Sequence, residues 1–294
     1  MCDRLRILSI DLEDWYHLLE HDECSEERHW HRFESRVERN TRYILDCLDQ
    51  YDQKATFFVL GYIARKHPEL VLEIAERGHE IGTHGDQHKL VYQLSKAEFE
   101  KDLLDSMQSI ERASGKTPSA FRAPGFSVVA SSTWAFDVLA ENGITTDGSI
   151  YLGRRAHGGL VEAHVTEPFI YQTTAGNHIK CFPVSRSKLG FFKFTASGGG
   201  YFRLCPTWLW VHLLKTQQYS MTYFHPRDFD VDQPVMSGLS PIRRFKAYTG
   251  LRSARAKFQL MLARFNFSTV NQSASLIDES NSPILCASDF NLKP

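Results

Sequence analysis

The chain opens with a short branched apolar run, Arg6-Ile7-Leu8-Ser9-Ile10, that stops at the acidic cluster Asp11-Leu12-Glu13-Asp14. Such a run predicts a strand buried on both faces that delivers acidic side chains at its C-terminal end. Over 40–51, Tyr43, Ile44, Leu45, Cys47 and Leu48 form an apolar stripe at helical spacing, and Ala55-Thr56-Phe57-Phe58-Val59-Leu60 predicts a second strand stopped by Gly61. A helix over 68–77 starts at Pro68 and closes on Gly78 in the C′ position. A short strand over 79–84 follows, then a helix over 95–115 with Ser95 as N-cap and Glu98 completing a capping box. Ser220-Met221-Thr222 predicts a late strand leading into Tyr223-Phe224-His225-Pro226. Residues 197–202 are expected as a flexible loop, and 241–265, carrying Arg243, Arg244, Lys246, Arg252, Arg255 and Lys257, as a basic amphipathic helical stretch.

Strands and helices alternate from residue 6 to about 150, which argues for parallel β-α units in a barrel or a doubly wound sheet. Ligands of such folds bind beyond the carboxyl ends of the strands. Asp11, His84 and Arg122 each follow a predicted strand, so one rim can gather them.

Composition narrows the function. The 294 residues are 42% hydrophobic and 23% charged with a formal net charge of -1, so no basic excess favours nucleic acid. No apolar run reaches bilayer length, and none follows the first basic residues as an export signal requires. The six cysteines are scattered without a framework spacing and are expected as reduced thiols, which points to the cytoplasm.

The chemistry concentrates in Thr83-His84-Gly85-Asp86-Gln87-His88. Two imidazoles four residues apart can reach one point, and a carboxylate added to them makes the three-ligand set of a catalytic zinc-type site. Strand alternation favours Glu13 as that carboxylate, and a turn directly after the strand favours Asp14; both stand open. His17, His21, His29 and His31 lie in a stretch, 20–39 and its approach, read as solvated loop and helix rather than a second metal site.

Six segments in order resemble the polysaccharide deacetylase family (NodB homology, carbohydrate esterase family 4), in its branch with an Asp-x-Glu-Asp first motif and a C-terminal extension. They are Ser9-Ile10-Asp11-Leu12-Glu13-Asp14-Trp15-Tyr16-His17, Ala55-Thr56-Phe57-Phe58-Val59-Leu60-Gly61, Gly78-His79-Glu80-Ile81-Gly82-Thr83-His84 through His88, Phe121-Arg122-Ala123-Pro124-Gly125-Phe126-Ser127, Gly198-Gly199-Gly200-Tyr201-Phe202-Arg203 and Tyr223-Phe224-His225-Pro226. The resemblance implies a distorted (β/α) barrel of about seven strands, with a catalytic domain over 1–235 and a helical extension over 236–294 packed on it. It implies hydrolysis of the N-acetyl amide of a sugar in bacterial surface glycan assembly, on a polysaccharide or its lipid- or nucleotide-linked precursor. The cofactor is expected to be Zn2+, with Co2+, Ni2+ or Mn2+ as substitutes.

Within that resemblance Asp11 is the expected general base, and Arg122 is expected to hold it ionised through a charge-assisted fork. His225 is the expected general acid, with Asp228 or Asp230 behind it, and a backbone N–H near residues 149–152 would complete the oxyanion site. Trp15, Phe126, Tyr151 and Tyr201 are expected to stack on the sugar. Relatives carry a serine where Gly148 stands and an aromatic residue where Asp86 stands; Asp86 is read as a solvated loop carboxylate. The basic helix is available to an anionic lipid surface. Two further readings remain: removal of formyl or opening of a non-sugar amide on the same metal, and a degenerate protein that binds glycan without cleaving it.

Overall fold

The computed structural model describes residues 4–19, 21–24, 26–153, 157–160, 165–189, 192–194 and 198–290. The strands are β1 Leu5–Leu12, β2 Thr56–Val59, β3 Glu80–Thr83, β4 Ala120–Phe121, β5 Thr146–Asp147, β6 Phe169–Gln172, β7 His178–Cys181, β8 Ser187–Leu189, β9 Phe192–Phe194, β10 Tyr219–Phe224 and β11 Ile284–Leu285. The helices are α1 Glu27–Trp30, α2 Val37–Gln50, α3 Gly61–Lys66, α4 Pro68–Glu76, α5 Lys96–Ser114, α6 Ala135–Glu141, α7 Gly199–Leu204, α8 Thr207–Thr216, α9 Pro241–Tyr248, α10 Leu251–Arg264 and α11 Val270–Ala274.

Nine strands form one mixed sheet in the order β10-β1-β2-β3-β4-β5-β7-β6-β11. The seven from β10 to β7 are parallel to their neighbours, as the seven-stranded expectation requires. The chain then adds an antiparallel strand, β6, and a parallel one, β11, at the far edge. The sheet is therefore a curled, open α/β barrel, with β10 and β11 as unjoined edges. β8 and β9 pair separately as a hairpin.

Alternation along the strands sorts the side chains into two sets. Leu8, Ile10, Leu12, Phe57, Val59 and Phe224 point outward into a core shared with the helices. Ile7, Phe58, Ala120, Phe182, Tyr219 and Met221 fill the interior, closed from below by Val270 and Ala274 of α11. The same inward parity carries Ser9 and Asp11 up β1 and Tyr223 and His225 up β10. Register then levels the rim: Ile10 pairs with Phe224, Asp11 with Phe58, Val59 with Thr83, and Thr83 with Phe121.

Several local expectations are met: Ser95 and Glu98 make the capping box on α5, and Gly78 has φ +76° after α4. Others are corrected. The stretch expected as a loop at 197–202 is the start of α7 from Gly199 onward, and Ser197 lies outside the described residues. The stretch 241–265 is two helices, α9 and α10, because Gly250 takes φ +80°, where a Cβ would press on the Arg203 backbone. Residues beyond 235 do not form a core of their own. Ala254, Phe258, Met261 and Leu262 of α10 join Phe224 and Phe229, and β11 completes the sheet.

Candidate active site

The rim of the barrel holds a cavity of about 340 Å³ whose walls include Asp11, Glu13, His84, His88, Phe126 and His225. At its floor the side-chain ligand atoms of Glu13, His84 and His88 all lie within 4.8 Å of one another, and all three residues are buried. His88 Nε2 is 2.7 Å from Glu13 Oε2. His84 Nδ1 donates to the Arg122 carbonyl at 2.7 Å, which fixes the tautomer and leaves Nε2 as a lone pair. Burial pushes the His84 imidazole down to about 4, so this nitrogen is unprotonated at neutral pH. Burial alone would raise Glu13, but His88, His225 and His84 outweigh it and hold the carboxylate below its ordinary range. Two imidazoles and one carboxylate converging in this way are the donor set of a divalent transition metal, so the residues fit the expected cofactor.

The loop bearing the two histidines is fixed from beneath. Asp102 of α5 accepts from the backbone N–H of Asp86 at 2.8 Å and of Gln87 at 3.3 Å. His88 itself has φ +55°. Asp86 is not a solvated carboxylate: it is buried against α3, paired with Arg65, whose Nη2 donates to Oδ2 at 3.0 Å.

Asp14 does not reach the metal ligands. Its carboxylate turns outward and accepts from the N–H groups of Trp15, Arg36 and Val37 and from the Ser35 hydroxyl. A carboxylate at the first turn of α2 satisfies donors the helix leaves free. The alternation argument therefore picks the carboxylate that the fold brings to His84 and His88, Glu13.

Asp11 stands beside the cluster with Arg122 behind it. Arg122 Nη1 donates to Asp11 Oδ1 at 2.7 Å and to Ser9 Oγ at 2.8 Å, while Nε donates to the Gly148 carbonyl at 3.1 Å. The contact is one-pronged rather than the expected fork, because the remaining nitrogens serve Gly148 and Met221 Sδ. The guanidinium lies over the Phe58 ring, 4.2 Å from its centroid. Gly148 is explained by the same packing: a Cβ there would sit 3.1 Å from Arg122 Nη2 and 3.0 Å from Met221 Cε.

His225 approaches from β10, with Nε2 3.7 Å from both Asp11 Oδ2 and Glu13 Oε1. Nδ1 donates to Asp228 Oδ2 at 3.1 Å, and Arg203 Nε stands 3.4 Å from the other Asp228 oxygen. Burial lowers the His225 imidazole, but Glu13, Asp228 and Asp11 together raise it to about 9. Asp228 is thus its partner. Asp230 instead binds Arg36, Arg39 and Asn40.

Of the four aromatic candidates only Phe126 lines the cavity. Trp15 is buried against Tyr16 and Phe33, with its indole N–H on the Glu34 carbonyl. Tyr151 packs behind Phe126, and Tyr201 is exposed on α7 outside the lining. No residue of 149–152 lines the cavity: the loop folds inward, where Ser149 Oγ accepts from Ala123 N–H and donates to Asp147. The sequence reading missed His17, which is buried in the cavity wall rather than solvated, its Nδ1 accepting from Asp14 N–H at 3.1 Å. It also assigned no role to Arg203, though Arg203 closes the Gly198–Arg203 segment, nor to Arg227, for which the sequence gives no periodicity or motif signal.

The chain is similar to known deacetylases in sequence and in fold. The family model described as polysaccharide deacetylase matches residues 22–146, and a domain of unknown function (DUF3473) matches residues 148–275. A peptidoglycan-N-acetylglucosamine deacetylase of Bacillus cereus is 39% identical over 85 residues, 29% of this chain and 39% of that protein. The peptidoglycan-N-acetylmuramic acid deacetylase PdaC of Bacillus subtilis is 39% identical over 84 residues, 29% of this chain and 18% of that protein. These matches thus cover well under half of either relative. A solved structure, a candidate polysaccharide deacetylase of Mycobacterium smegmatis, shares the fold with a TM-score of 0.64 at 19% identity, covering 99% of this chain and 93% of that one. With the site's six motifs carried on this barrel, the chain contains a polysaccharide deacetylase domain of the NodB-homology, carbohydrate esterase family 4 type.

Proposed function

We propose that the protein is a metal-dependent hydrolase that removes acetyl from an N-acetylated sugar during assembly of a surface glycan. The observation that carries this reading is the convergence of Glu13, His84 and His88 beside the Asp11–Arg122 and His225–Asp228 pairs in one cavity. The relatives named above act on peptidoglycan amino sugars, which is the same class of amide.

A divalent cation held by Glu13, His84 and His88, zinc in the first instance, would polarise the acetyl carbonyl and acidify a water molecule. Asp11, with Oδ1 engaged by Arg122, keeps Oδ2 available to take the proton of the attacking water. Arg122 keeps that carboxylate oriented. Water oxygen bonds to the carbonyl carbon, the carbon–nitrogen bond breaks, and acetate and a free amine result. The amine needs a proton to depart. His225, protonated at neutral pH by its carboxylate neighbours, carries one on Nε2 on the same side as Asp11. Asp228 holds the ring in place through Nδ1.

The test is acetate release from a panel of N-acetylated sugars, with formate release from formamido sugars measured in parallel. Acetate release that disappears in the Asp11→Asn and His225→Asn proteins supports the reading. Formate without acetate would shift it to a deformylase, and sugar binding with neither product would make the protein a glycan binder.

A further inference from the structure

Resting on the deacetylase reading, we infer that the cavity wall formed by the turn after β10 and by α9 is a subsite for an anionic substituent on the sugar, a phosphate ester or a carboxylate. Arg227 from the turn after β10 and Arg243 and Lys246 from α9 line this wall, with Arg203 behind them. Among the described residues, Arg227 and Lys246 form no ion pair with the catalytic acids. Asp11 is paired with Arg122, Glu13 with His88, and Asp228 with His225 and Arg203. Arg203 is itself engaged, donating to the carbonyls of Lys246 and Ala247 and so holding α9 against the cavity.

Arg227 makes the case specific. Its Nη1 donates to the Trp15 carbonyl at 3.1 Å, which orients the guanidinium, yet Nη2 is buried with no acceptor. A donor on a cation without an acceptor is disfavoured, and a modest turn of the side chain would offer it to an anion in the cavity that Arg227 lines. An arginine fork with neighbouring cations is the usual recognition of phosphate and carboxylate oxygens. A neutral glycan offers this wall hydroxyl groups but no charge to match its cations. The reacting end of the cavity, rich in carboxylates, would repel the anion and so fix the substrate's direction.

The probes are glucosamine 1-phosphate and muramic acid against glucosamine, all already deacetylated, titrated calorimetrically into the wild-type protein and its Lys246→Gln and Arg227→Gln variants. Lys246 is exposed, so its variant preserves the fold even where loss of Arg227 disturbs the Trp15 carbonyl. One anionic amine should bind at least tenfold more tightly than glucosamine, and each substitution should remove most of that preference. A preference for the phosphate identifies a phosphorylated or carrier-linked sugar; a preference for muramic acid identifies a carboxylated one. Equal affinity for all three amines, or a preference unmoved by both substitutions, overturns the subsite. Kinetics on the N-acetylated counterparts separates this outcome from failure of the deacetylase reading, because acetate release with no anion preference leaves hydrolysis standing and removes the subsite alone.

Discussion

Arg122 Nη1 and Asp11 Oδ1 are 2.7 Å apart, and neither side chain is more than 3% exposed. A pair so completely desolvated is vulnerable to loss of one member, because the survivor is left as a buried unpaired charge. Arg122→Ala should therefore destabilise the protein by roughly 3–5 kcal/mol in denaturant titration. Asp11→Asn keeps an acceptor for Arg122, so it should cost less stability while lowering kcat by about 10²–10⁴. Equal losses of stability in the two variants would show that Asp11 is merely a structural counter-ion.

Gly148 offers a separate test of the same arrangement. A methyl placed 3.1 Å from Arg122 Nη2 and 3.0 Å from Met221 Cε has no free space to enter. Gly148→Ala should cost about 1–3 kcal/mol by overpacking and should slow acetate release with little change in KM. A variant as stable and active as the wild type would mean that Arg122 tolerates displacement.

The state of His225 sets a pH limit. Its imidazole is raised to about 9 chiefly against the pull of burial, by Glu13, Asp228 and Asp11. Because the folded value lies above the unfolded one of about 6.5, its stabilisation is full below that pH and disappears as pH rises through about 9. Activity that needs the protonated ring should fall on the same alkaline side, and Asp228→Asn should move that limb to lower pH. The pH–rate profile of the two proteins checks this, and superimposable alkaline limbs would remove Asp228 from the proton relay.

Asp147 gives a slope of the same sign in a more acidic window. Burial raises its carboxyl to about 7 despite the two Ser149 hydrogen bonds. The folded chain therefore holds a proton that the unfolded chain releases near pH 4, and stability from this group declines as pH rises from about 4 to about 7. Asp147→Asn should flatten that decline in thermal melts taken across the window. An unchanged slope would place the proton elsewhere.

The rim was legible because strand order and side-chain parity are written in short apolar runs. Asp11, His84, Arg122 and His225 all sit just past or at such runs, and the parallel register gathers them. Glu13 and Asp14 could not be separated from sequence, since the deciding event is long-range: the start of α2 arrives to claim Asp14. Trp15, Tyr151 and Tyr201 fall outside the cavity lining for a related reason. An aromatic side chain next to a motif reads alike whether it faces sugar or core, and Trp15, Tyr16 and Trp30 make a cluster that also buries His17. Of the two extra strands, β11 is only two residues long, too short for periodicity to show, and β6 joins antiparallel, outside the β-α alternation. The role of α9 in the cavity wall depends on Arg203, which reaches carbonyls 43 and 44 residues later, and no local pattern announces it.

Metal titration tests the central claim most directly, with competition against a coloured chelator on wild-type protein and on the Glu13→Ala, His84→Ala and His88→Ala variants. The convergence of these three side chains predicts one tightly bound divalent cation per wild-type chain, and affinity lowered at least about 100-fold in each variant while the fold persists by circular dichroism. Wild-type protein that binds no divalent cation, or variants that bind it as tightly as the wild type, would contradict the account.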